Sequence, residues 1–548
     1  MMFKKIGDNV LMEDHLFLTT EKNELYIYKV FAGQKEKELV LTKIPEPSLM
    51  EYKNCKLKYI PDLNGMSCVF VTGDVPSLIS KTSQSFPRVH RFTTEPIYGF
   101  TTFNTENIYN GFAYANDSEV VRMGKLYQDV DYSQSLPVHQ IPLGSSITSL
   151  CYHEEGGVYI VSTQDPIPYD YVDEDSLPVS GRIEDLQKAV SYRSSIKVIS
   201  PLTWTVIGSV DLDDNEVVMV VKSVRLTVSE AAKRKKEFVA FGTSILRGED
   251  LASKGAFYVY EVIDVVPEPG MPETNRKFKE VARESVKGAV TALCEVDGHL
   301  LVSQAQKVIV RNIQEDNSII PVAFLDLNVY ISDAKSLKNL LVLSDAVKSV
   351  WLVGFAQEPY RMNVVSKDLS DIGVTCSEFA VHGKSLYVLS SDTERKIHLL
   401  QYEPDDPASL SGQRLLRRSE FFTGRTINDM IMVPTSEGDS NFMPFAATSD
   451  GTLIGVIPVS ESSYRRLFVM QQQIIDKEEQ NCCLNPRMHR SHGTESATGR
   501  AILDYNTIKR FVALSTEKKS QYGRKLGKGG YNEGRISVKE IEKAMAYF

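Results

Sequence analysis

The chain has 548 residues, of which 42% are hydrophobic and 24% charged, and it carries a net charge of −9. These proportions are ordinary for a soluble globular protein, and the length exceeds that of a usual single domain. No apolar run is long enough to cross a membrane, the first residues lack a signal peptide's apolar region, and the seven cysteines are odd in number and mostly isolated. The sequence therefore predicts a soluble intracellular protein without a disulfide framework.

A pattern of apolar strand, polar turn and second apolar strand recurs through the body of the chain. Three anchors of this pattern, Leu300, Leu340 and Leu386, are 40 and 46 residues apart. Strand pairs at this spacing are typical of β-propeller blades, although neither a WD dipeptide nor a Kelch signature is present. The sequence predicts a mainly β fold, a seven-bladed-type β-propeller followed by a small C-terminal α-helical domain.

Two insertions interrupt the strand pattern. Residues 165–186 are acidic and broken by prolines, which predicts a long surface loop. Residues 229–237 include four consecutive basic side chains, which fit either a nuclear-localisation patch or a solvated charge run.

The tail changes to helical periodicity after residue 460, with Ser462 or Ser463 as the expected N-cap and Pro486 as the end of continuous helix. A second helix is expected from Asp504, and a third from the capping box that begins at Ser537. The apolar residues of the first helix are predicted to pack the helical domain; they are Tyr464, Leu467, Phe468, Ile474 and Ile475.

The tail is also basic, with 16 Lys and Arg against 10 Asp and Glu in residues 461–548, which leaves −15 on the first 460 residues. This asymmetry predicts contact with an acidic partner, with RNA, or with the acidic body itself. Arginines beside aromatic residues suit phosphate contact and base stacking, but they equally suit a protein surface. The candidate RNA- or partner-binding residues are Arg465, Arg466, Arg487, Arg490, Lys509 and Arg510.

Motifs for catalysis or metal binding are not recognisable in the sequence. The glycine-rich stretch 523–534 is one residue short of a phosphate loop and lacks its Ser or Thr. Cys482, Cys483, His489 and His492 do not have the usual zinc spacing. We therefore expect no enzyme activity, no metal and no cofactor, while a catalytic site assembled from distant strands stays open as an alternative.

Six strings together resemble one family, the largest subunit of the cleavage and polyadenylation specificity factor, and in particular its yeast form. They lie at residues 260–281, 287–308, 412–421, 464–472, 483–490 and 497–511. The strings at 287–308 and 497–511 are also similar to the damaged-DNA-binding large subunit and to a propeller subunit of the splicing factor three b complex. An adaptor of the damaged-DNA-binding type and a propeller of the splicing-factor type are therefore the alternatives to the polyadenylation subunit.

The resemblance implies three propellers and a C-terminal helical domain that wedges between them, of which this chain would be the back part. It implies trailing strands of a preceding propeller at 1–50, a third propeller at 51–459 and the helical domain at 460–548. The implied function is a non-catalytic nuclear scaffold in pre-mRNA 3′-end cleavage and polyadenylation, with auxiliary RNA contact. The implied partners are a WD-repeat subunit, a CCCH zinc-finger subunit and, through them, poly(A) polymerase, with no membrane.

Overall fold

The structure is a computed structural model that describes most of the chain. The residues described are 10–12, 15–20, 25–32, 39–43, 55–80, 87–93, 95–116, 120–127, 130, 138–169, 177, 190–229, 234–247, 251–271, 274–382, 385–434, 442–480, 484–491, 501–526, 534, 536–538 and 541. The basic run at 229–237, the acidic insertion at 165–186, the glycine-rich stretch at 523–534 and the capping box from Ser537 lie partly outside these residues.

The described residues form nine antiparallel sheets, and in each sheet the strands are neighbours in chain order. Sheet 1 contains β1 Val10–Met12, β2 His15–Thr19, β3 Leu25–Ala32 and β4 Leu39–Lys43. Sheet 2 contains β5 Lys56–Leu63, β6 Met66–Thr72, β7 Ser77–Ser80 and β8 Arg88–Arg91. Sheet 3 contains β9 Ile97–Phe103, β10 Gly111–Asn116 and β11 Val121–Lys125.

Six further sheets follow. Sheet 4 contains β12 Ser146–His153, β13 Val158–Pro168, β14 Val190–Ile199 and β15 Val206–Asp211. Sheet 5 contains β16 Glu216–Ser229, β17 Arg234–Ile245, β18 Lys254–Asp264 and β19 Arg276–Lys287. Sheet 6 contains β20 Val290–Val296, β21 His299–Gln304, β22 Lys307–Ile313 and β23 Ile319–Asp326.

Sheet 7 contains β24 Ile331–Leu337, β25 Leu340–Asp345, β26 Ser349–Gln357 and β27 Tyr360–Lys367. Sheet 8 contains β28 Val374–His382, β29 Ser385–Asp392, β30 Lys396–Tyr402 and β31 Leu416–Phe422, with a 3-10 turn at Pro407–Ser409 before β31. Sheet 9 contains β32 Ile427–Pro434, β33 Phe442–Thr448 and β34 Leu453–Gly455.

The first strands of sheets 4 to 9 contact one another in order, β12 with β16, β16 with β20, β20 with β24, β24 with β28 and β28 with β32. The second strands in the middle of this run are buried on both faces, as Leu341, Val342 and Leu343 show. Burial on both faces arises because each sheet packs between two neighbours, which is how propeller blades form a core. The predicted mainly β propeller fold is confirmed.

A small helical domain follows the last sheet, as predicted. Its helices are α1 Glu461–Lys477, α2 Pro486–Ser491, α3 Tyr505–Ile508, α4 Arg510–Ala513 and α5 Thr516–Gly523. The N-cap of α1 is Ser460, whose side chain accepts from the backbone N–H of Ser463, so the predicted cap at Ser462 or Ser463 is wrong. Ser460 has the extended backbone that a capping residue requires, and the helix begins at the next residue.

The domain has its own core. Leu467, Met470 and Ile474 of α1 pack against Ile508 and Phe511 from the following helices. In the part of the chain that the structure describes, none of the helices is both long and apolar enough to cross a membrane.

Candidate functional site

Arg490 joins the helical domain to the propeller. Its Nη1 donates to the carbonyl oxygen of Phe422 at 3.0 Å, and its Nε donates to Asp504 at 2.9 Å. The guanidinium also lies 4.8 Å from the ring centre of Phe421, a cation–π distance. Because Asp504 is the N-cap of α3, Arg490 ties α2 to both α3 and β31.

Two more of the predicted binding arginines are used within the helical domain. Arg466 is half-buried and donates through Nε to the hydroxyl of Ser537 at 3.2 Å. Arg510 donates to the side-chain oxygen of Gln480 and to the carbonyl oxygen of Glu479, both at 2.7 Å. Both residues therefore hold tail segments together.

The remaining three predicted binding residues are exposed. Arg465 pairs with Glu461 one turn earlier on α1 at 2.5 Å, and Arg487 pairs with Asp476 at 2.9 Å. Lys509 lies exposed at the C-terminal end of α3. Exposed ion pairs of this kind are weak, so these side chains are available to a partner or to a phosphate.

The predicted packing residues divide into two groups. Leu467 and Ile474 are fully buried in the core of the helical domain. Tyr464 and Phe468 are half-buried with ring centres 6.0 Å apart, and Ile475 is half-buried as well. The second group lies at the edge of the core, where a neighbouring element can cover it.

A second group of functional candidates, which sequence reasoning missed, lies where the first strands of the sheets converge. Lys335 on β24 donates to a carboxylate oxygen of Asp429 on β32 and to the carbonyl oxygen of Met430, both at 2.7 Å. Its ammonium is also 4.0 Å from the carboxylate of Glu378 on β28. One buried cation therefore connects sheets 7, 8 and 9.

Two further charges complete this axial cluster, which comprises Lys222, Asp333, Lys335, Glu378 and Asp429. Lys222 on β16 lies 3.7 Å from the second carboxylate oxygen of Asp429, and Asp333 accepts from the backbone N–H of Ser377 at 3.3 Å. Sheet 5 is thereby linked across the axis to sheet 9.

Burial and charge act against each other in the axial cluster. Burial raises the pKa of Glu378 to about 7, because the nearby Lys335 offsets its desolvation only in part. Burial also raises the pKa of Asp333. For Asp429, burial is outweighed by Lys222 and Lys335, which hold the pKa of that carboxyl below its usual value. The three carboxyls therefore have different proton affinities.

The cysteines and histidines do not form a metal site in the described residues, where no group of three or more His, Cys, Asp and Glu side chains could hold an ion. Burial raises the pKa of Cys294 to about 12, so its thiol is protonated and unreactive at neutral pH. Four residues were considered as zinc ligands. Three of them, Cys482, Cys483 and His492, lie outside the described residues, and the ring of the fourth, His489, packs edge-on against Phe422.

Comparison with known proteins identifies the family. The model described as "CPSF A subunit region" matches residues 193–513, which is more than half of the chain. This chain belongs to the CPSF A subunit family. A second model, described as the "RSE1/DDB1/CPSF1 second beta-propeller", matches residues 1–126.

Individual members of the CPSF A subunit family support this assignment. Proteins named CFT1 are 39% identical in Debaryomyces hansenii over 96% of this chain, 38% identical in Candida albicans over 97%, and 36% identical in Saccharomyces cerevisiae over 100%. The matched part is 41%, 41% and 42% of those relatives. The chain thus spans about two-fifths of the length of the curated relatives it matches.

Proposed function

We propose that this chain belongs to a non-catalytic scaffold subunit of the nuclear pre-mRNA 3′-end cleavage and polyadenylation complex. The observation that carries this proposal is the continuous similarity of almost the whole chain to CFT1 proteins, within the CPSF A subunit family. Its partners on this proposal are the WD-repeat and CCCH zinc-finger subunits and, through them, poly(A) polymerase. A large sheet array with an attached helical domain suits this role because it offers extended surface to several partners.

The geometry of the tail supports protein scaffolding over primary RNA recognition. Arg466, Arg490 and Arg510 are committed to hydrogen bonds within the chain. Arg465, Arg487 and Lys509 are the three of the six candidates that lie exposed, so half of the candidate set is engaged elsewhere and does not offer the phosphate contacts that dominate strong nucleic-acid binding. On this proposal the contact of this chain with pre-mRNA is auxiliary.

The division of the chain belongs to the same proposal. The helical domain at 460–548 would act as a clamp, for which the Arg490 contact with Phe422 of the propeller is the support. The predicted first boundary near residue 50 stays a prediction. The second-propeller match, which continues to residue 126, favours placing that boundary nearer 126.

The axial cluster is the feature that a catalytic alternative would use, because it concentrates titratable groups on the innermost strands. Its charges are nevertheless directed at each other: Asp429 accepts from Lys335, and Lys222 lies beside the same carboxylate. A general base or nucleophile must instead reach a substrate atom. We therefore assign the axial cluster to holding the blades together.

The experiment that tests the proposal measures binding to RNA and binding to the partner subunits. The anisotropy of a labelled A/U-rich RNA is followed across a salt series with this chain alone, and then with the WD-repeat and zinc-finger subunits added. We expect weak, strongly salt-dependent binding by the chain alone and tight, sequence-selective binding only in the complex. Tight selective binding by the chain alone, or failure to co-purify with both subunits, would contradict a scaffold.

Charge-reversal variants show which surface of the chain makes any contact with RNA. Charge reversal of the three exposed tail residues Arg465, Arg487 and Lys509 to Glu is compared with the same reversal at Lys277, Lys279 and Lys287, which are exposed on β19. Loss of RNA binding in the tail variant alone would locate the auxiliary contact on the tail. Association with a ubiquitin-ligase scaffold or with branch-site RNA particles would instead favour the two adaptor alternatives.

A further inference from the structure

The turn between β18 and β19 carries two exposed apolar side chains that do not pack into the core. Val266 is 92% exposed, the highest value among the large apolar side chains of the described residues, and Met271 is 52% exposed. A single exposed apolar residue is ordinary on a protein surface, but two on one turn form a small apolar surface, which singles the turn out as a contact site. Residues 265–271, 274 and 275 are called the β18–β19 tip below.

The β18–β19 tip is held in one shape by its own hydrogen bonds. The backbone N–H of Val265 donates to the carbonyl oxygen of Asn275 at 2.9 Å, which closes the base of the turn. The hydroxyl of Thr274 accepts from the backbone N–H of Glu268 at 2.8 Å and donates to the carbonyl oxygen of Met271 at 2.8 Å. Because its backbone is already ordered, the tip loses little conformational freedom on binding, which favours affinity.

The base of the tip is fixed to the propeller. Arg276 forms an ion pair with Asp264 and donates through Nε to the carbonyl oxygen of Gly156, in the turn between β12 and β13 of sheet 4, at 3.0 Å. Close by, the rings of Phe278 and Tyr260 meet edge-on with their centres 5.7 Å apart. β19 has 12 residues, against 6 in β15 and 8 in β23, which are the outer strands of the adjoining sheets. The tip is therefore a braced projection at the rim of the propeller.

The charge of the tip indicates what kind of surface it fits. Residues 265–275 contain two glutamates and no Lys or Arg. One of the two, Glu268, lies exposed on the same turn as Val266 and Met271. This negative charge repels the phosphates of RNA and attracts a protein surface that carries Lys or Arg. The tip therefore fits a protein recess that is apolar inside and basic at its edge.

We propose that the β18–β19 tip docks into a partner protein, with Val266 and Met271 in an apolar recess and Glu268 against a Lys or Arg at the edge of that recess. This inference rests on the proposed function, which supplies the partner. We assign the recess to the WD-repeat subunit, because a propeller has concave surfaces between its blades and at the mouth of its channel, whereas a CCCH zinc finger is too small to enclose one.

The test measures the affinity of this chain for the purified WD-repeat subunit by isothermal titration calorimetry. Val266→Glu and Met271→Glu each place a charge where the proposal buries an apolar side chain, and each should raise the Kd at least about tenfold. Val266→Ser removes the apolar contact without adding a charge and should raise the Kd about threefold or more. Val347→Glu is the matched control and should bind like the parent chain, because Val347 is a 45% exposed apolar residue on another turn, between β25 and β26. Since these positions are exposed, all the variants should unfold at the temperature of the parent chain.

A second pair of variants tests the charge of the tip. Glu268→Lys should raise the Kd about threefold or more at low ionic strength and by a smaller factor at high ionic strength, since salt screens exposed charges. Glu315→Lys makes the same change of charge on the exposed turn between β22 and β23 and is the control. Equal effects of the two charge reversals would overturn the basic edge of the recess.

The outcomes separate this inference from the proposed function. If the parent chain and the Val266 and Met271 variants bind the WD-repeat subunit equally well, the tip does not dock there, while the scaffold role stands. If the parent chain does not bind the subunit at all, both proposals fail. If the parent chain dimerises and Val266→Glu makes it monomeric, the partner of the tip is a second copy and the inference is wrong. Loss of RNA binding in the same variants, with unchanged affinity for the subunit, would assign the tip to RNA and would also overturn it.

Discussion

The ammonium of Lys335 lies 2.7 Å from a carboxylate oxygen of Asp429, although 94 residues separate them in the chain. The contact joins the first strand of sheet 7 to the first strand of sheet 9 across the axis. Lys222 approaches the other oxygen of the same carboxylate from sheet 5. Three non-adjacent sheets therefore meet at one carboxylate, so the ring is held at its centre by charge as well as by apolar packing between sheets.

We expect Lys335→Met to lower the free energy of unfolding by about 3–5 kcal/mol, because it leaves the buried carboxyl groups of Asp333 and Glu378 without their nearby cation. Urea unfolding followed by the fluorescence of Trp351, which is buried in sheet 7, measures the loss. Lys307→Met is the control, since the Lys307 pair with Asp326 is mostly exposed and should be worth less than about 1 kcal/mol. Equal losses in the two variants would show that the axial contact contributes no special stability.

Glu378 should make stability depend on pH. Its pKa in the folded chain is about 7, above the 4.5 of an unburied glutamate, so the folded state holds this proton more tightly. The stability from that proton is fully present below about pH 4.5 and is lost as the pH rises through about 7. Glu378→Gln, which keeps the shape without the charge, should therefore be more stable than the parent chain at pH 8 and similar to it near pH 5. The same difference in unfolding free energy between the variant and the parent chain at both pH values would refute this assignment.

The propeller could be predicted from sequence because its repeat is local. The anchors Leu300, Leu340 and Leu386 lie on β21, β25 and β29, which are the second strands of three successive sheets. Each sheet is made of consecutive strands, so the period of the sequence equals the period of the structure. The apolar face of α1 could be predicted for the same reason, because the spacing of its residues along the chain depends only on the geometry of one helix.

The axial cluster could not be predicted in that way. Lys335, Glu378 and Asp429 lie on different strands that are far apart in the sequence. Their side chains come together only when the sheets pack around a common axis. For the tail, the sequence reveals the charge of Arg490 but not its acceptor, the carbonyl of Phe422, which lies 68 residues earlier. Long-range contacts between a side chain and a backbone group leave no pattern in the sequence.

Arg490 should be more important for docking the helical domain than the exposed arginines. Arg490→Lys keeps the charge but cannot reproduce the two directed hydrogen bonds or the planar contact with Phe421, and it should cost about 1–3 kcal/mol. Limited proteolysis should cut the variant between propeller and helical domain faster than the parent chain. Arg465→Lys, in an exposed pair on α1, is the matched control and should leave the cleavage rate unchanged. A faster rate in both variants, each of which keeps its positive charge, would show that the Arg490 contacts are not what docks the helical domain.

Gly255 is required by close backbone approach at the start of β18. A Cβ atom there would lie 2.4 Å from the carbonyl oxygen of Thr243 and 2.6 Å from that of Gly288, and backbone atoms cannot move aside as a side chain can. We expect Gly255→Ala to cost about 1–3 kcal/mol or more, measured by urea unfolding. Gly208→Ala is the control, because a Cβ on that strand glycine would meet only Val198 at 3.9 Å, and its effect should stay within about 0.5 kcal/mol. If the two alanine variants unfold at the same urea concentration, the close approach is not a constraint on this position.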